Sequence, residues 1–174
     1  MNKNPPLPVP VLPIAGFAVA GLFSFGLACV VVLLHPDVLG GDPVRGPVLA
    51  LTHLVTLGWI GSLLFGGACL VGPLLAGSAL WSRRLPEFHL VCHILGLALL
   101  LGGLVLLRYD VAGAGAITLV LGLAAMVVNL LVTGTKRSLW NPANIAFQSA
   151  MFWLAVTAVI ALWMLRKDIP PRIH

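Results

Sequence analysis

Five long apolar runs separated by short polar connections organise this chain. They extend from about Ile14 to Leu34, Val48 to Val71, Phe88 to Leu107, Ala112 to Val132 and Ile145 to Leu165. Each approaches the roughly 20 apolar residues that an α-helix needs to cross a hydrocarbon core. None alternates with the period of two that a membrane barrel strand requires. The pattern predicts an all-α integral membrane bundle of five transmembrane helices. The connections are short, so neighbouring helices should pack antiparallel. Pro47 is placed as a first-turn residue of the second helix, and Gly72-Pro73 predicts a kink or an end to it. The organisation reads as a proline-rich arm over residues 1–13, a transmembrane domain over 14–166 and a C-terminal tail over 167–174. Pro5, Pro6, Pro8, Pro10 and Pro13 favour an extended arm over the apolar core of a secretory signal.

Composition agrees with this organisation. The chain is 60% hydrophobic and 9% charged, with a mean hydropathy of +1.07. A soluble domain carries roughly a quarter charged residues, so a soluble single-domain enzyme is excluded. The net charge of +5 comes from scattered residues that form no phosphate-tracking face, which excludes nucleic acid as a partner. Every formal charge lies in a tail or between apolar runs. The absence of mid-span charge removes ion-coupled transport from the leading readings. Arg83, Arg84, Lys136 and Arg137 occupy one set of loops, while Arg45 and Arg108 occupy the other. The bias predicts a cytoplasmic N-terminus and an outside C-terminus in a bacterial inner membrane, although Arg166, Lys167 and Arg172 in the tail argue the other way.

In a chain this apolar, the polar exceptions carry the chemistry. His53 lies about 9 Å below Pro47 along the second helix. A neutral imidazole at that depth needs a partner for its N–H, and its other nitrogen is a natural metal ligand. Thr56, one turn away, is a candidate partner. Gly61 could leave room for a porphyrin plane, and Arg45 and Arg108 could meet haem propionates. A second axial ligand would come from His35 or from His53 of a second copy. His89 and His93 share a face of the third helix and form a candidate metal pair. Asn129, Asn144 and Gln148 should lie near the same leaflet, and the competing reading there is an interhelical hydrogen-bond cluster. With a core about 30 Å thick, His53 and His93 differ in depth by about 12 Å, too far to share one ion. Cys29, Cys69 and Cys92 lack CxxC spacing and read as small buried hydrophobes. The glycines of the first two spans read as close helix-packing positions.

The run from Leu51 to Gly77, containing THLVTLGWIGSLLFGGACLVGPLLAG, resembles the His-bearing second helix of heme–copper oxidase catalytic subunits. The likeness is to the nitric oxide reductase-like and cbb-type branch, and Leu80-Trp81-Ser82-Arg83-Arg84-Leu85 is similar to the loop that follows. A weaker likeness is to haem- and copper-containing membrane proteins of the nitric-oxide response. The resemblance covers about a third of the chain. It implies that His53 is an axial ligand of a low-spin haem on a helix running from the outer to the inner side. The chain has five spans against about a dozen in those subunits. It lacks counterparts of their paired histidines and later His-x-His helix, and its single tyrosine, Tyr109, is in a loop. A complete oxygen-reducing site is therefore not expected.

Together these readings predict a membrane protein that binds haem b through His53. It would act in electron transfer or within a respiratory assembly, with quinone or another haem as redox partner. The membrane lipid would surround it, and a homo-oligomer or larger membrane complex is expected. The alternative is a non-catalytic accessory subunit of a larger membrane complex, whose histidines serve packing.

Overall fold

In the computed structural model, residues 10–42, 46–135 and 141–167 are described. They form five helices long and apolar enough to cross a membrane, with no strand among the described residues. Helix α1 (Val11–Leu34) is followed by a short 3₁₀ turn (Pro36–Gly40). The second span has three parts: α2 (Gly46–His53), a π-helical segment (Leu54–Gly61) and α3 (Ser62–Ala76). Then come α4 (Arg84–Val105), α5 (Tyr109–Gly134) and α6 (Pro142–Lys167).

Several boundaries differ from those expected, for local reasons. Helix α1 begins at Val11, inside the expected proline arm. Pro13 sits in its first turn, where an amide has no intrahelical partner to lose. Pro86 does the same in α4, which therefore starts at Arg84. Helix α6 starts at Pro142 because Asn141 caps it: the Ala143 N–H donates to Asn141 Oδ1 at 3.0 Å. Pro73 does not end α3, which continues to Ala76 and stops at Gly77 in the left-handed region with φ of 59°.

Three apolar clusters succeed one another along the bundle. At the end where α3 finishes, Cys69, Met126 and Leu130 pack with Leu80. Phe17, Phe65, Leu123 and Val127 follow. Towards the end where α2 begins, Ala50, Leu100, Leu104 and Ala112 pack together, flanked by Leu49 and Leu57. Helix α1 lies on the π segment and α3, while α6 lies against α5 and α3. The window of α6 that would cross the membrane buries none of its residues within the chain. Cys29, expected to be buried, is exposed on the peripheral α1; Cys69 and Cys92 are buried.

Helices α4 and α5 approach most closely, and glycine makes this possible. A Cβ on Gly96 would lie 2.9 Å from the Gly115 carbonyl oxygen. One on Gly115 would overlap the Leu100 backbone, and one on Gly103 would overlap that of Ala112. Gly113, two residues from Gly115, has nothing within 4 Å of such an atom. Where helices are already surrounded by lipid-like surface, this backbone proximity is the main source of attraction. Gly115→Ala should therefore cost about 1–3 kcal/mol through overpacking. Gly113→Ala should be neutral or stabilising by up to about 1 kcal/mol. Thermal unfolding of the two variants in detergent checks the difference.

Candidate functional site

Two groups of histidines occupy opposite halves of the bundle, as the depth argument required. His53 is the eighth residue of the span beginning at Gly46, while His89 and His93 follow the start of α4 at Arg84 from the other end.

His53 is half-buried. Its Nδ1 lies 2.7 Å from the Leu49 carbonyl oxygen. A carbonyl only accepts, so Nδ1 carries the proton and donates. In the neutral ring Nε2 then holds an in-plane lone pair. This is the tautomer by which ligating histidines are commonly held, with the remote N–H fixed on a carbonyl. Leu49 and Leu57 flank His53 along the helix and pack against residues of α4 and α5. The imidazole thus sits at an edge of the packed face.

The other expected members of this site do not converge on the imidazole. Thr56 is exposed, and its hydroxyl donates to the Thr52 carbonyl at 2.7 Å. The partner of the His53 N–H is the backbone of Leu49 because that carbonyl lies one turn back on the same helix. Gly61 is buried, and a Cβ there would lie 3.2 Å from the Thr56 carbonyl oxygen. Its missing side chain accommodates the wide backbone turn and leaves no open platform beside it. Arg108 is exposed and bonds Asp110 through Nε at 3.1 Å and Nη2 at 2.9 Å. Arg45 lies outside the described residues. His35 lines a cavity of about 490 Å³ with Asp37, Ala50, Leu51 and Leu54. His53 is not among the residues lining it, so His35 and His53 do not converge there.

His89 and His93 are 1% and 2% exposed, their ring centroids 5.9 Å apart. Phe17 and Phe65 close around them, with centroids 4.6–5.0 Å from His89 and 5.4–5.5 Å from His93. His93 Nε2 is hydrogen-bonded to Ser62 Oγ at 2.9 Å. His89 Nδ1 is buried without a hydrogen-bond partner. Among the described residues, no three His, Cys, Asp or Glu side chains gather as a metal group. Four rings at these separations leave no space for a porphyrin between them.

The polar residues expected beside His93 serve a different purpose. Asn129 Oδ1 accepts from the Ser82 N–H at 2.8 Å, and Asn129 Nδ2 donates to the Ser82 carbonyl at 3.0 Å. Thr133 Oγ1 accepts from the Trp81 N–H at 2.9 Å. Helix α5 therefore holds the α3–α4 loop by its backbone. Asn144 Nδ2 donates to the Gly134 carbonyl at 3.2 Å and Gln148 Nε2 to that of Leu130 at 3.1 Å, joining α6 to α5. Asn144 and Gln148 thus bond between helices, whereas Asn129 bonds a loop and none of the three is bonded to His93. Nothing in the spacing of Ser62 pointed to His93, because their meeting depends on the local helix geometry.

The chain matches no family model, no curated protein and no solved structure.

The loop contacts can be tested directly. Asn129→Ala frees both polar groups of Ser82 and should cost about 1–3 kcal/mol. Trypsin should then cut after Arg83 or Arg84 faster than in the unsubstituted protein. Equal cleavage rates would remove Asn129 as the anchor of this loop.

Proposed function

We propose that this chain is a membrane haem-binding protein in which His53 supplies an axial ligand to haem b. Its role would be electron transfer or membership of a respiratory assembly. The supporting observation is the His53 ring itself: Nδ1–H is committed to the Leu49 carbonyl at 2.7 Å, leaving Nε2 as the donor atom at a half-buried position. The resemblance of the Leu51–Gly77 run to the His-bearing helix of oxidase subunits supports the same assignment.

The donor chemistry fits one axial bond. When bound, haem supplies a one-electron couple whose potential depends on its ligands, nearby hydrogen bonds and burial. The chain's contribution is to fix the imidazole tautomer through Leu49 and to surround that side with the aliphatic residues of α4 and α5. A macrocycle on His53 would lie at the edge of the bundle. The other axial ligand would then come from a neighbouring copy or another subunit, in keeping with an oligomer or larger membrane complex. A quinone or a second haem is the corresponding redox partner. The loop-charge bias supports a cytoplasmic N-terminus in a bacterial inner membrane.

The accessory-subunit reading is favoured by one separate observation. The described membrane window of α6 has no fully buried residue, and Phe152, Trp153 and Trp163 are between 55% and 62% exposed. Such a face suits lipid or a neighbouring helix and does not need a cofactor.

After haem-replete expression, reduced-minus-oxidised absorbance of the purified protein should show a b-type spectrum, and His53→Ala should abolish it. A colourless unsubstituted protein would sink the haem reading in favour of the accessory one. A coloured His53→Ala protein with the same spectrum would instead remove His53 as the ligand.

A further inference from the structure

Among the described residues, the second span is the one place where a membrane-length helix changes its geometry. The π-helical segment starts at Leu54, directly after His53, and ends at Gly61, directly before Ser62. A π turn pairs each carbonyl five residues on, so such a segment accommodates one extra residue relative to an α-helix. At 3.6 residues per turn, that residue rotates everything before it by about 100° relative to everything after it. His53 precedes Phe65 by twelve residues. A continuous α-helix would set them about 120° apart around the axis, and one extra residue reduces this to about 20°. Burial follows the rotated pattern, with Gly46, Ala50, Ser62 and Phe65 all buried. The π segment thus brings His53 to the edge of the packed face.

A wide turn disturbs the backbone ladder. Where five-residue pairing returns to four-residue pairing, one carbonyl is skipped, and in an apolar interior no water replaces its partner. His93 of α4 reaches the span at this place. Its Nε2 is hydrogen-bonded to Ser62 Oγ at 2.9 Å. Ser62 follows the last residue of the π segment directly. Glycine lets the neighbours close in: a Cβ on Gly58 would lie 2.7 Å from Ser24 Oγ.

We propose that His93, with Ser62, clamps the π segment and thereby sets the orientation of His53. His93 is then a positioning residue and does not ligate a metal. The rotation of residue 53 is independent of any cofactor; its effect on a haem rests on the function proposed above.

A nitroxide at residue 53 reads the rotation without haem. His53→Cys is labelled in a Cys29→Ser background, since Cys69 and Cys92 are buried. Collisions with oxygen are measured in liposomes. Adding His93→Phe should release the clamp and turn residue 53 towards lipid. Oxygen accessibility should rise by about two-fold as residue 53 turns by about 100°. Ser62→Ala should act in the same direction, and His93→Gln, which keeps a hydrogen-bonding side chain, should restore the original value. Deleting Val55 removes the extra residue, so residue 53 keeps its place on a continuous helix and His93→Phe then has no effect. A folded His93→Phe protein with unchanged accessibility would overturn the clamp. If His93→Phe does not fold, deletion of Val55 should rescue it, and failure of that rescue also overturns the proposal.

A parallel arm retains His53. In haem-loaded protein, His93→Phe should shift or abolish the spectrum only when Val55 is present. An identical spectrum in that protein would overturn the control of ligand orientation. A colourless unsubstituted protein removes the haem function, while the nitroxide measurement still decides the clamp.

Discussion

Backbone hydrogen bonding inside an apolar bundle is the constraint on which this structure depends. A carbonyl in water can lose its helical partner at small cost, whereas one among hydrocarbon must find another within the protein. Four of the five spans meet this demand with an α-helical ladder. The second meets it with a π segment between His53 and Ser62. That segment is tolerable because polar side chains and small residues are gathered around it. Ser62 and His93 lie in hydrogen-bond contact there, and Gly58 and Gly61 allow the backbone to widen while α1 stays close.

The same demand separates the polar residues by role. Asn129 and Thr133 bind the α3–α4 loop through its backbone, while Asn144 and Gln148 tie α6 to α5. These residues settle where the helices end and how they adjoin. His93 acts within the span. Among the described histidines, His53 has its N–H committed to its own helix and its other nitrogen at a half-buried edge. The partners of each ring therefore distinguish a candidate ligand at His53 from a packing residue at His93. Both are intramembrane histidines by sequence, and what each ring is bonded to is visible only in the structure.

Much of the fold was legible in the apolar pattern because a membrane-length helix leaves a signal of about 20 residues. Helix ends were less legible. Pro13 and Pro86 look like breaks but occupy first turns, and Pro73 lies within a helix that runs on to Ala76. In each case the effect depends on which amides already lack partners. The candidate site was legible as a set of residues and not as an arrangement. Thr56 and Gly61 were placed by α-helical spacing from His53, and the π segment invalidates that spacing.

The sequence by itself determined the five apolar spans, the exclusion of formal charge from them and the opposite depths of His53 and the His89–His93 pair. These follow from run length and from the order of residues along each helix. Tertiary structure decided which way the rings face and what they touch. It set Phe17 and Phe65 around His89 and His93, joined His93 to Ser62 across 31 positions of sequence, and brought α4 and α5 into backbone contact at Gly103 and Gly115. The reason is physical: rotation about a helix axis accumulates by about 100° per residue, so one extra residue in a turn redirects a side chain while leaving its hydrophobic run unchanged.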